Sequence, residues 1–436
     1  MSKNSKLAFL GGPKAVTLDP KDVFRWPIVT SEDEQAVLGV LRAGSMSGNA
    51  ITVEFEQAFA KWLGVKYALG HCNGTASILG AMWACGVGAG DEVICPTCTY
   101  WATATPTLSL GATPVFADID PVTLCIDPAD IERHISRRTK AIIVVHLYGH
   151  PCDMDKILWI ARRHKLRVIE DCSHAHGGLY KGRKVGTMGD VSCFSLMTGK
   201  ALPTGEAGML ATNDRAILER ATAFGFYERT GQSRWAKAIT PTITDPWLNQ
   251  FAGLPLGGAK HRMNQTCAAM GLVQLKHYPK RMAEIQKAMN YFWDGVEKLP
   301  GVRGQRPAKG TRCTMGGWYI PVGFFDGAKL GGLSLQRFAE ALKAEGCSIW
   351  ATIPNRPLHL HPMFQKADIY GHGKPTVIAN AKRDTRQGPG SLPVSESIHE
   401  RVFCPPYFHR FRPRVIDQYI RAFNKVQAAA KQLVEA

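Results

Sequence analysis

Lys200 stands in the stretch CFSLMTGKALPTGEAGML, residues 193–210, among small and apolar residues with almost no charged neighbour. A lysine on a solvated loop is ordinary. An amine held in a dry place is a nucleophile, because burial disfavours the ammonium form and frees the lone pair. Gly199 and Gly205 flank it and let backbone approach a ligand closely. Upstream, VIEDCSHAHG sets Asp171 at the carboxyl end of the apolar run Val168-Ile169, and ligands of open α/β sheets collect outside such ends. A carboxylate there can bind a metal, serve as a base or pair with a ring nitrogen. His174 and His176 would complete a metal set with Asp171, but histidines this close also serve as hydrogen-bond partners and core residues, so the metal reading ranks behind. Earlier still, Asn73-Gly74-Thr75 precede a helical pattern that puts Ile78, Leu79, Met82 and Trp83 on one face. A glycine turn entering a helix offers free N–H groups and the positive dipole end, an anion site suited to phosphate.

These residues need a frame. Between residues 65 and 212 short β-rich runs alternate with helical segments: DEVICPTCTY, ATPVFADID, KAIIVVHLYG, LRVIEDCS, VSCFSLM and GMLATND. The apolar runs are continuous rather than alternating, as in strands covered on both faces. Strand–helix–strand repetition of this kind predicts an α/β fold with a mostly parallel sheet. Asp127 is the expected cap of a helix with Pro128 in its first turn. An earlier helix opens at TSEDEQAVLGVLRAG, where Ser31 and Glu34 have capping-box spacing. Phe55, Phe59 and Trp62 recur at helical spacing and are expected to face the core. Residues 229–259 lack periodicity, and a loop this long is usually functional or part of an interface. Two helices are expected next, at about 264–276 and 280–299. From about 300 a smaller α/β unit follows, with a strand at GWYIPVGFF, a helix at SLQRFAEALKAEG and a terminal helix from about 414. The expected domains are 1–285, large and ligand-binding with the N-terminal segment, and 286–436, small.

Composition narrows the function. The 436 residues are 45% hydrophobic and 20% charged, enough apolar content for a sizeable core and too little charge for disorder. Lys plus Arg is 53 against 36 acidic residues, a net charge of +17 that favours anionic partners. The basic patches RHISRRTK and HRFRPR lack the aromatic interleaving of a nucleic-acid platform, so no nucleic-acid partner is expected. The twelve cysteines show one C-x-x-C pair, Cys95 and Cys98, with no second pair to make a zinc site; no metal is expected. The start has too short an apolar run for a signal peptide, and no run reaches membrane-spanning length. A reduced, cytoplasmic protein without a membrane partner is expected.

An anion loop, a strand-end aspartate and a lysine after a later strand come in the order found in enzymes that hold pyridoxal 5'-phosphate (PLP). The chain resembles the DegT–StrS family of sugar aminotransferases, within the fold-type I PLP enzymes. The resemblance rests on FEQAFAKWLGVKYAL, NGTAS, GDEVICPTCTYWATA, GATPVFADIDPVTLCIDP, VIEDCSHAHGGLYKGRKVGTMGD, FSLMTGKALPTGEAG, RMNQTCAAMGLVQL, PLHLHPMF and LPVSESIHE, which run over nearly the whole length. SGNAI, GGLSLQRFAEAL and PVSE point to the branch that aminates keto-cyclitols such as scyllo-inosose. The resemblance implies that Lys200 binds the cofactor covalently and that Asp171 pairs with its protonated ring nitrogen. It places His174 near the ring hydroxyl and Tyr100, rather than Trp101, against the ring. It gives the phosphate to Gly74, Thr75 and Ala76, with Ser195. In relatives an Asn within a Y-N-Y-R-M-like motif of the neighbouring subunit completes the phosphate site. Here Ala259-Lys260-His261-Arg262-Met263 stands there, with Lys260 in place of the Asn. The implied protein is a homodimer with shared active sites that moves an amino group from glutamate or glutamine to a keto sugar or keto-cyclitol. Two other readings stand beside it: a dehydratase-like enzyme on the same cofactor, whose relatives replace the lysine with histidine, and a non-catalytic regulator on the same scaffold. Arg229 and Arg356 are candidates for the donor carboxylate. His359 and His361 are expected to line a pocket or pack, with no acidic partner near them in sequence.

Overall fold

Every residue of the apolar runs VICP, TPVFA and GMLAT is buried, because helices cover both faces of the sheet they form. The structure is a computed structural model that describes residues 6–230 and 243–435. Its strands in chain order are β1 (Tyr67–His71), β2 (Glu92–Pro96), β3 (Thr113–Ala117), β4 (Thr139–Val145), β5 (Arg167–Asp171), the small hairpin β6 (Leu179–Tyr180) and β7 (Arg183–Lys184), β8 (Val191–Ser195) and β9 (Gly208–Thr212). Seven of them make one sheet in the order β1-β9-β8-β5-β4-β2-β3. Only β9 runs against its neighbours β1 and β8; the other pairs are parallel. The carboxyl ends of β1, β2, β4, β5 and β8 therefore open on one edge, and the chain leaves that edge as loops able to carry function.

The connecting helices follow the expected signals with two exceptions. Asp127 caps the helix Pro128–His134 by accepting the Ala129 N–H at 2.9 Å. The helix Ser31–Arg42 is capped one residue earlier than its sequence spacing suggests. Thr30 is the N-cap and Asp33 the reciprocal acceptor, taking the Thr30 N–H at 2.8 Å. The nearly fully buried Asp33 also accepts from Gln274 Nε2 at 2.7 Å, and this long-range partner selects it over Glu34. The second exception is the pair of helices expected on either side of residue 278. They are one helix, Gln265–Val296, with Pro279 inside it. Proline removes one helical hydrogen bond, but the helices Ser31–Arg42 and Ala50–Leu63 pack along this element and the Tyr278 hydroxyl donates to the His176 carbonyl at 2.7 Å. Tertiary burial carries the helix across the break.

Phe55 and Phe59 are fully buried with Phe194 in the core beneath the sheet, each contributing roughly 1.5–3 kcal/mol by its removal from water. A second core gathers Leu7 and Val23 of the N-terminal segment with Phe292, Trp293, Phe338, Phe408 and Phe423. Around it lie β10 (Val302–Gly304), β11 (Gly323–Phe325) and β12 (Val402–Phe403), an antiparallel trio, and the helices Leu335–Ala344 and Pro413–Ala428. The expected long strand at GWYIPVGFF shrinks to β11, because Trp318 and Ile320 sit at φ +55° and +49° and cannot join a ladder. Of the aperiodic stretch 229–259, residues 231–242 lie outside the described residues; the remainder includes the short helix Pro246–Asn249.

Candidate active site

At the sheet edge, β1 runs into the helix Gly74–Ala84. Asn73 is its N-cap, and Asn73 Oδ1 accepts the Ala76 N–H at 2.8 Å. That leaves the N–H groups of Gly74 and Thr75 without an acceptor among the described residues. The turn exists only because two glycines allow it. A Cβ on Gly74 would lie 2.8 Å from Ser195 Cβ, and one on Gly208 would lie 2.3 Å from the Asn73 carbonyl oxygen. The helix start thus crosses directly over the paired ends of β8 and β9, where Ser195 faces Gly208.

Asp171, the last residue of β5, is almost fully buried. Its Oδ2 accepts from Thr103 Oγ1 at 3.0 Å and its Oδ1 from the Ser173 N–H at 3.1 Å, so the carboxylate is oriented with lone pairs left over. His174 is also buried, and burial, with the Lys200 charge second, holds its pKa well below the usual imidazole value. It is neutral. Its Nδ1 accepts the Tyr148 N–H at 3.3 Å, so Nε2 carries the proton and is a donor.

Lys200 lies in the turn that joins β8 to β9, held by Lys200 N–H to the Met197 carbonyl at 2.8 Å and by Trp26 Nε1 to the Lys200 carbonyl at 3.0 Å. The residue is 7% exposed. Nζ makes no hydrogen bond or ion pair among the described residues and sits 3.9 Å from the centre of the Tyr319 ring. Burial brings its pKa down to about 8, against a smaller opposing pull from Asp171. At pH 7 about one molecule in ten then carries the free amine, against fewer than about one in a thousand for an ordinary lysine.

One cavity of about 370 Å³ joins these parts; Gly74, Thr75, Tyr100, Asp171, His174, Ser195 and Lys200 all line it. Ala76 does not: its N–H is committed to Asn73, and it faces a neighbouring hollow with Trp101 and His261. Lys260 is exposed and lies outside the cavity of its own chain. Its segment is anchored by the Cys72 N–H to the His261 carbonyl at 2.6 Å and by a bridge between His71 and Arg262. Trp101 is half exposed beside Tyr100, outside the lining of the Lys200 cavity.

Two expectations are corrected. Arg229 is not free for a carboxylate ligand: it is 1% exposed, and its Nη1 bonds both oxygens of Glu56 at 2.9 Å. Arg356 is exposed and does not line the cavity. His359 packs in the interior as expected, and its Nε2 lies 3.1 Å from Glu396 Oε1, brought in from 37 residues away. A further cluster, His146, Glu170 and Cys172, brings ligand-type atoms together behind β5. Glu170 there accepts from His146 Nε2 and from the N–H groups of Gly186, Met188 and Gly189, so its oxygens are already occupied by hydrogen bonds. The C-x-x-C cysteines Cys95 and Cys98 are buried free thiols, and burial pushes both pKa values up.

Sequence reasoning missed Tyr319, Asn355, Thr103 and Glu206 at this site. Nothing in the sequence singles out Tyr319; only the structure shows that its neighbours Trp318 and Ile320 adopt positive φ, strain of the kind that gathers at functional sites.

The site fits PLP: free helix N–H groups for a phosphate, an oriented carboxylate for a ring nitrogen, and a buried amine of lowered pKa in the same cavity. Fold and site define the class of fold-type I PLP-dependent aminotransferases. Residues 27–424 match the DegT/DnrJ/EryC1/StrS aminotransferase family, and the chain belongs to it. It is 44% identical over 410 residues to the L-glutamine:2-deoxy-scyllo-inosose aminotransferase of Streptomyces lividus, covering 91% of each chain. It is 33% identical to the L-glutamine:scyllo-inosose aminotransferase of Streptomyces griseus, covering 97% of this chain and 98% of that one. The X-ray structure of an aminotransferase from Psychrobacter cryohalolentis superposes with a TM-score of 0.78 at 29% identity, over 94% of this chain and all of that one.

Proposed function

We propose that this PLP-dependent enzyme moves an amino group from glutamine or glutamate to the ketone of a cyclitol or sugar, in a ping-pong cycle. The observation that carries the reading is Lys200: a buried amine with no hydrogen-bond partner among the described residues, in one cavity with Asp171 and the open helix start at Gly74. The names of the relatives above support a cyclitol acceptor and glutamine as donor.

When bound, PLP supplies an electron sink for the pair released at the donor's α-carbon. The chain supplies the rest. The N–H groups of Gly74 and Thr75, with Ser195, would hold the phosphate, and Ala76 is left to its cap. The Asp171 carboxylate would pair with the ring nitrogen and favour its protonated form. His174 Nε2 would donate toward the ring hydroxyl, and Tyr100 would cover a ring face. Lys200 Nζ would take the proton from the donor's α-carbon and deliver it to the carbon that accepts the nitrogen. A positioned proton carrier of this kind contributes roughly 10²–10⁴-fold.

We also infer a homodimer in which Lys260 reaches the partner's phosphate as a cation. Support comes from the half-exposed Tyr100, which lines the cavity, and its neighbour Trp101, rings that a second subunit would cover. A division near residue 285 into a large and a small domain remains a proposal, supported by the separate apolar cores. Cytoplasmic location is proposed from the twelve unpaired cysteines, most of them buried. No helix among the described residues is long and apolar enough to cross a membrane.

The test is half-reaction spectroscopy. Glutamine or glutamate should bleach the cofactor absorbance of the purified holoenzyme, and a keto-cyclitol or keto sugar should restore it. Failure of every such ketone to restore it contradicts the acceptor class.

A further inference from the structure

The lining of the Lys200 cavity includes a polar group that proton transfer and cofactor binding leave unused. Asn355 belongs to the segment 352–361, which returns from the C-terminal half of the chain to the exit of β2. It is fixed from several sides. Its backbone carbonyl accepts from Cys98 Sγ at 3.4 Å, the Leu358 N–H bonds the Thr97 carbonyl at 2.9 Å, and Cys98 bridges Pro357. The Asn355 side-chain Oδ1 accepts from the Tyr148 hydroxyl at 2.7 Å. Tyr148 is fully buried, and burial holds its phenol well above the ordinary range, so it acts as a neutral donor. With the phenol as donor, Oδ1 is the bonded end of the carboxamide. Oδ1 is taken, and Nδ2, with two hydrogens to give, has no acceptor among the described residues while Asn355 lines the Lys200 cavity.

The charges around the cavity select what Nδ2 meets. Lys200 is the one cation among its described lining residues, and that amine is engaged by the chemistry. Asp171 and Glu206 supply carboxylates. Glu206 makes no side-chain hydrogen bond or ion pair among the described residues, so its carboxylate is free to accept from a ligand. An amide donor, the Tyr319 hydroxyl and a free carboxylate together suit a ligand whose groups both give and accept hydrogen bonds, that is, hydroxyls on a neutral ring. We propose that Asn355 is a specificity-determining residue for the keto acceptor, its Nδ2 donating to a hydroxyl of a neutral polyhydroxylated ring. The proposal rests on the transaminase reading and assigns Asn355 to one half of the cycle.

The two halves can be measured apart. In Asn355→Ala holoenzyme the acceptor half-reaction should show a KM raised about 3- to 10-fold, the worth of one neutral hydrogen bond. The donor half-reaction with glutamine should stay within about 2-fold of wild type. Tyr148→Phe leaves Asn355 in place but releases its amide to turn, and should shift the same KM in the same direction by less. Calorimetric titration with scyllo-inositol, an unreactive ring alcohol, should give weaker binding to Asn355→Ala than to wild type. A loss confined to the donor half, an equal loss in both halves, or unchanged acceptor KM and scyllo-inositol binding each overturns the proposal. If wild type aminates no keto ring, the transaminase reading fails instead, and the scyllo-inositol comparison still judges Asn355 alone.

Discussion

At the scale of single residues, the chemistry depends on an amine that burial makes easier to deprotonate, and that has a thermodynamic cost. A lysine at its usual pKa of 10.5 in the unfolded chain drops to about 8 in the fold. Between those values the unfolded chain binds more protons, so stability of the cofactor-free protein rises as pH climbs from about 8 to 10.5. Below about 8 the penalty is fully present, on the order of 3 kcal/mol. The cofactor-free Lys200→Met protein should therefore melt higher than wild type at pH 7, with the gain shrinking steadily above pH 8. A gain independent of pH would mean that the amine is not desolvated. Asp171 and His174 illustrate the converse, polar groups buried with partners: Thr103 and Ser173 for the one, the Tyr148 N–H for the other.

At the scale of elements, the site is an intersection of the helix start at Gly74 with the ends of β8 and β9, and the packing there has no slack. Gly74→Ala forces a Cβ to within 2.8 Å of Ser195 Cβ. It should cost about 1–3 kcal/mol in thermal unfolding and loosen retention of PLP on dialysis. Retention and melting equal to wild type would show that the helix can move off the strand. The same elements show what a sequence makes legible. Strands β2, β3, β4, β5, β8 and β9 coincide with the apolar runs, because strands buried on both faces need continuous hydrophobic sequence. β1 is missed, being five residues set directly after a helix and partly exposed at its start. Pro279 reads as a break that packing overrides. Lys200, Asp171 and Gly74 stand out because each violates a local expectation: a lone amine, a strand-end acid, a glycine at a helix start. Tyr319 and Asn355 do not, because their roles come from contacts with residues more than 100 positions away.

At the scale of the whole molecule, an acidic cavity wall sits in a chain of net charge +17, so the surface charge is no guide to the site. The proposed homodimer gives the exposed Lys260 a task. Lys260→Ala should weaken PLP affinity about 10-fold or more, as loss of one charge-assisted bond to phosphate does, with subunit association unchanged. Equal affinity in equilibrium dialysis would remove Lys260 from the site.

The most direct test of the account concerns a single bond. Holoenzyme treated with borohydride, digested and mapped by mass spectrometry should carry the reduced PLP group on the peptide containing Lys200 and nowhere else. A label on another lysine, or protein that binds PLP without forming any reducible link, would contradict it.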